Sequence, residues 1–213
     1  METSDELAEM LAGFDRSREY STQRLIKENA YCETYRVEDE KEEPFFLKLY
    51  VLKKMPEKMV DEERQVRSIA VLSKLKHKNI VSFVESGSYE DDEVGSCQYV
   101  VTNYFSGELL ADKIQREGPL PLEQAVQILK EVLEGLRYMH ERQLFHNDIT
   151  PRNIMLSERM GGEAEIIDMG HISGFVGGAP SFDTSDLDEH YQANATFAGI
   201  YSDARDLFAA LAV

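Results

Sequence analysis

Cysteine is nearly absent: only Cys32 and Cys97 occur in 213 residues. Two thiols cannot build a disulfide framework, so a reducing compartment, the cytoplasm, is expected. No apolar run approaches the ~18 residues that a membrane-crossing helix requires. The first ten residues, METSDELAEM, lack a basic stretch followed by an apolar one, which argues against a secretory signal. Positive charge is scarce as well. Lys and Arg number 23 against 40 Asp and Glu, for a net charge of -17. So acidic a surface repels phosphate backbones and argues against nucleic acid as a general partner. An anionic nucleotide would need locally concentrated cationic groups or metal ions. The excess acid otherwise serves solubility. Internal repeats and low-complexity tracts are also missing.

What is present is ordinary globular material, 42% hydrophobic and 30% charged, long enough to bury a core as one domain or two small lobes. Residues 1–13 read as a short helix with Ser4 as N-cap and Leu7, Met10 and Leu11 on one face. From about 20 to 50 the chain reads as strands. Tyr31, Thr34, Tyr35 and Val37 are β-prone, and FFLKLY resumes after the acidic VEDEKEE. Residues 57–75 read as a helix carrying Val66, Ile69, Leu72 and Leu75. NIVSFVESG and CQYVVTNYF look like two further strands. PLEQAVQILKEVLEGLRYMHE is then an amphipathic helix, with Pro121 in its first turn and Val126, Leu129, Leu133, Leu136 and Met139 along one side. Residues 103–107 form a natural hinge between a strand-rich first half and a second half that begins helical.

The chemistry concentrates in residues 146–170. His146-Asn147-Asp148 is followed by Asn153, and Ile166-Ile167 by Asp168-Met169-Gly170. Between them, Ile154–Ser157 and Ala164–Ile167 flank Gly161-Gly162, which reads as a small hairpin. A hairpin brings its outer ends together, so Asn153 is expected beside Asp168. An amide oxygen and a carboxylate converging there suit Mg²⁺, which takes oxygen ligands and shares its remaining positions with phosphates and water. Asp148, five residues before Asn153, could accept a proton from an attacking hydroxyl. His146 reads as a packed residue below the loop, Arg152 as a surface arginine, and the cysteines as small core or surface residues.

These stretches resemble the catalytic loop H-R-D-L-x-x-x-N and the D-F-G of the protein kinase superfamily. The resemblance covers most of the chain. FFLK looks like V-A-I-K, which makes Lys48 the strand lysine. YVVTNYFSG resembles the strand into the hinge, with Thr102 as gatekeeper and Asn103 among the nucleotide-binding positions. ANATFAGIYSDARDLFA resembles the segment from A-P-E into the next helix, with Asp206 as its acid. The fold implied is α+β and bilobal: an N-terminal helical extension at 1–19, a small antiparallel sheet plus one helix over 20–103, and a mainly helical lobe over 104–213 that stops early. The implied activity is phosphoryl transfer from ATP to a protein hydroxyl. Lys48 would hold the α/β-phosphates, Asn153 and Asp168 the Mg²⁺, and Asp148 would act as base. Pro151 favours serine or threonine as acceptor.

The chain also departs from the pattern. Lys27, Asn29 and Cys32 occupy the three positions of the glycine-rich loop, where glycine permits unusual backbone angles and close approach to phosphate. Ser68 stands where a helix glutamate should pair with the strand lysine. Asn147 replaces the arginine of H-R-D, Thr150 the usual lysine, Met169 the phenylalanine of D-F-G, and Ala193-Asn194-Ala195 the A-P-E. The chain stops with Leu207, Phe208, Leu211 and Val213, an apolar face that a C-terminal segment or partner would cover. Three readings therefore compete: an active protein kinase, a pseudokinase serving as a binding module, and a small-molecule kinase of the aminoglycoside or choline kinase type. The small-molecule family usually shows a glycine after the histidine and a second downstream aspartate, and neither is present.

Overall fold

A computed structural model describes residues 20–91, 94–157, 163–170, 172–174, 206, 209 and 210. The expected helix at 1–13, the Gly161-Gly162 turn, the 193–205 segment and the side chains of Leu207, Phe208, Leu211 and Val213 lie outside the described residues. The chain divides into two compact units, one of Met1–Lys74 with Ser82–Tyr104 and the other of Leu75–Val81 with Phe105–Val213. Strands dominate the first unit and helices the second, an α+β chain. No helix among the described residues is long and apolar enough to cross a membrane.

The first unit is a five-stranded antiparallel sheet in the order β1-β2-β3-β5-β4. Its strands are β1 (Tyr20–Glu28), β2 (Cys32–Asp39), β3 (Pro44–Val51), β4 (Phe83–Asp91) and β5 (Gly95–Asn103). Side chains alternate across a pleated strand, so every second residue faces the core. Tyr35 and Val37 on β2, Phe45, Leu47, Leu49 and Val51 on β3, and Cys97, Tyr99 and Val101 on β5 form one buried cluster. Lys48 therefore points to the opposite face, opposite Thr34 on β2 and Val100 on β5.

The single helix expected over 57–75 is not what forms. A 3-10 turn spans Glu57–Met59, and α1 covers only Arg67–Leu72. Between them the chain reverses, and Val60 bridges Val66 in antiparallel fashion. The cause is Asp61, whose side chain accepts from the N–H groups of Glu63 (3.0 Å) and Gln65 (2.7 Å). Such local bonds give the backbone an alternative to helix. Arg64 completes the reversal in the left-handed region, at φ 61°. The N–H of Val66 then donates to Gln98 on β5 at 2.8 Å. Gln98 shares the Lys48 face by register, so the start of α1 is tied to that face.

In the second unit α2 (Leu110–Glu117) and α3 (Leu122–His140) accompany two small sheets. One orders β6 (Gly107–Leu109), β8 (Ile154–Ser157) and β9 (Ala164–Ile166); the other pairs β7 (Leu144–Phe145) with β10 (Ser173–Gly174). Pro121 precedes α3 as its N-cap rather than entering the first turn. The buried stripe of α3 is also rotated from the one expected. Ile128, Glu131, Val132, Gly135, Leu136 and Met139 are buried, whereas Val126 is 39% exposed. The stripe follows what lies against it. Gly135 lets the helix approach Ile166 and the Asn79 carbonyl, since a Cβ there would lie 3.0 and 3.1 Å from them. Glu131 accepts the N–H of Ala164 at 2.6 Å.

Residues 75–81 belong to this unit because their backbone extends β9. Ile166 donates to Asn79 (2.9 Å), Val81 donates to Ile166 (3.0 Å), and the Asn79 amide donates to Ala164 (2.8 Å). Tyr138 on α3 stacks on His77 and accepts the N–H of Lys76.

Among the described glycines the tightest backbone approach is at Gly107, where an added Cβ would collide with the carbonyl oxygen of Leu156. Gly107→Ala is expected to destabilise the protein by roughly 1–3 kcal/mol, measured as a lowered thermal midpoint. An unchanged midpoint would show that β6 can move off β8 at no cost.

Candidate active site

The loop from His146 to Asn153 runs between β7 and β8, and Asp168 follows β9. Ile154 pairs with Ile166, so the hairpin aligns the two ends as its apolar pattern implies. Beyond that register, Ile167 N–H donates to the Asn153 carbonyl at 2.9 Å. Asn153 is buried, and its amide nitrogen donates to both the carbonyl (2.9 Å) and the carboxylate (2.8 Å) of Asp148. The structure thus brings Asp148, Asn153 and the segment carrying Asp168 together in one unit.

His146 is 0% exposed and ties the same pieces from below. Its Nδ1 accepts the N–H of Asp148 at 3.3 Å, and its Nε2 lies 3.4 Å from the Ile167 carbonyl. An accepting Nδ1 puts the ring proton on Nε2, which then donates to that carbonyl. The packed role expected for His146 is what the structure shows, and Arg152 is exposed.

Within the loop and the segment after β9, Asn147 at φ 65° and Asp168 at φ 62° adopt left-handed backbone angles. Asn and Asp are the residue types besides glycine that tolerate this region best. Asp168 turns the chain there, and its carboxylate accepts from Gly170 N–H at 3.3 Å. Met169 is buried, so the flexible thioether is accommodated in the packing.

The loop is anchored by Asp206, only 1% exposed. Its carboxylate accepts the N–H groups of His146 (2.8 Å) and Asn147 (2.7 Å), and His140 Nε2 lies 2.9 Å away. His140 is the participant that sequence reasoning passes over. The one available signal is a polar residue ending the apolar stripe of α3 beside Met139.

Lys48 and Asn103 belong to the first unit. Lys48 is half-buried at the middle of β3, and Asn103 is exposed at the end of β5, where its N–H donates to Ser82 at 3.0 Å. Ser68 is buried on α1, and Arg67–Leu72 contains no acidic residue at all. None of Lys27, Asn29 and Cys32 has a positive φ. The β1–β2 turn adopts a shape that makes no demand for glycine.

The loop from His146 to Asn153 is thus held on one side by Asp206 and on the other by the strand end before Asp168. Comparison with known proteins gives the family. Residues 20–210 match the family described as protein kinase domain, and the chain belongs to that family. It is 30% identical over 162 residues to the serine/threonine-protein kinase CLA4 of Eremothecium gossypii, covering 71% of this chain and 19% of that protein. It is 32% identical over 94 residues to the serine/threonine-protein kinase PknB of Mycobacterium leprae, covering 44% of this chain and 14% of that one. Over 98 residues it is 33% identical to the serine/threonine-protein kinase PrkC of Bacillus subtilis, covering 46% and 14%. The chain thus spans less than a fifth of the length of these relatives.

One buried carboxyl outside this set has a measurable consequence. Glu165 on β9 is 9% exposed, and its Oε2 has no hydrogen-bond partner among the described residues. Burial first, and then the charge of Glu163, push its carboxyl from 4.5 up to about 8. Between those values the folded protein keeps the proton and the unfolded chain sheds it, so stability declines as pH rises through that window and then levels. Glu165→Gln is expected to flatten the decline, on the order of a few kcal/mol at most. Thermal midpoints at acidic and mildly alkaline pH would measure it, and parallel pH profiles for both proteins would contradict it.

Proposed function

We propose that this chain transfers the terminal phosphoryl group of ATP to a serine or threonine hydroxyl of a protein. The observation that carries the reading is the bonded pair of Asp148 and Asn153, held by Ile167 and His146 against the segment bearing Asp168. Asp148 accepts the Asn153 amide on one carboxylate oxygen, which orients the other to receive a proton from an acceptor hydroxyl. Two oxygen donors, one amide and one carboxylate, fit a hard cation that completes its shell with phosphate and water. Asn153 and Asp168 would hold that Mg²⁺, and it would supply charge neutralisation across the phosphates when bound. Lys48 is assigned to the α/β-phosphates, and Asn103 to the nucleotide at the end of β5. The protein's own work is to orient the hydroxyl, hold its proton, and keep the carboxylates at fixed positions.

A second reading is favoured by Ser68: a binding module of this fold that has lost transfer. A helix without a glutamate leaves Lys48 to be positioned by other groups. Transfer to soluble small molecules is the third outcome.

Asp148→Asn is expected to lower phosphate transfer to a serine/threonine peptide library by roughly a hundred- to ten-thousand-fold, while nucleotide binding persists. Asp168→Asn is expected to abolish the Mg²⁺-dependent part of the thermal shift given by ATP. Binding without transfer to any acceptor would establish the binding module, and label appearing only in small hydroxyl or amine compounds would reassign the substrate.

A further inference from the structure

The turn joining β1 to β2 is built to satisfy its own donors. The Asn29 side-chain oxygen accepts the N–H of Tyr31 at 3.1 Å and of Cys32 at 2.8 Å. The N–H of Asn29 itself donates to the Cys32 carbonyl at 2.9 Å. Three of the four N–H groups across residues 29–32 are therefore engaged within the turn. The Tyr31 carbonyl accepts the N–H of Val51, which fastens the turn to the end of β3. Successive outward N–H groups are what make a backbone loop bind anions. Here one carboxamide oxygen accepts two of the turn's N–H groups.

The charges flanking the turn agree. Glu28 and Glu33 stand directly opposite each other, closing the β1–β2 ladder. Tyr35 donates its hydroxyl to Glu33. Burial, the bond to Glu33, and the charges of Glu33 and Glu28 hold that hydroxyl well above its usual range. Two carboxylates beside the turn repel a polyanion.

We infer that Asn29 closes the β1–β2 turn to phosphate, so that nucleotide phosphates are held by the other groups of the chain and not by this backbone. The closure itself is a property of the first unit. Its consequence for nucleotide rests on the phosphotransfer reading. Asn29 is a positioning residue: it acts on the ligand through the amides that it occupies.

The test is site-resolved amide hydrogen exchange on the full chain, for wild type, Asn29→Ala and Asn29→Asp, with and without MgATP. ATP and adenosine affinities are measured alongside. In the wild type the Tyr31 and Cys32 amides are expected to be protected, with MgATP leaving them unchanged. In Asn29→Ala both should exchange roughly five- to tenfold faster, about the worth of one hydrogen bond. Asn29→Asp keeps an acceptor in place and should retain the protection, which separates the acceptor from general damage. Freed amides should also tighten ATP severalfold in Asn29→Ala while adenosine is unchanged. Equal exchange in wild type and Asn29→Ala overturns the closure. So does new protection of these amides by MgATP in the wild type, or weaker ATP binding in Asn29→Ala. If neither protein binds nucleotide, the phosphotransfer reading falls, and the exchange comparison between wild type and variants still decides the closure.

Discussion

The buried carboxylate of Asp206 is the constraint from which the rest of the second unit follows. A carboxylate removed from water is tolerable only when its lone pairs are met by donors. Two backbone N–H groups and the ring of His140 meet them. Both backbone donors come from consecutive residues, and presenting them to one carboxylate forces a sharp loop. Asn147 absorbs the required left-handed angle. With the loop held there, His146 sits beneath it, its ring accepts from Asp148, and its other nitrogen reaches the strand end before Asp168. One buried charge thus fixes the positions of groups far from it in sequence.

The first unit shows how a family pattern can be altered without visible strain. The positions where glycine would be expected carry ordinary backbone angles, because Asn29 supplies a different closure of the turn. The helix after β3 is short because Asp61 and Gln98 organise a reversal ahead of it. These are local replacements, each with its own hydrogen bonds. In a chain of net charge -17, local hydrogen bonds of this kind decide where a backbone donor is left for an anion.

Much of this was legible in the residues. Alternation in FFLKLY and CQYVVTN marked β3 and β5, because a strand with one buried face must alternate. The small hairpin was legible because two short apolar runs flanked a turn, and a hairpin's geometry leaves no choice about which ends meet. The 57–66 reversal was not legible. Val66, Ile69 and Leu72 do recur at helical spacing, but a single aspartate side chain competing for backbone donors outweighs a spacing pattern upstream of them. The rotated stripe of α3 was also missed. Leu129 and Leu133 are as apolar as Ile128 and Val132, and what selects between the two rows is the strand and carbonyl against which Gly135 fits.

The sequence by itself determined the family and the strand pattern, and it singled out Asp148, Asn153 and Asp168 as the residues to be brought together, since spacing and residue type carry that information locally. Tertiary structure alone decided which donors each polar group meets: that Asp206 anchors the loop with His140, that His146 carries its proton on Nε2, and that Asn29 occupies the turn's own amides. Such partners lie up to 66 residues apart in the chain. A hydrogen bond depends on distances and directions that only the folded backbone sets.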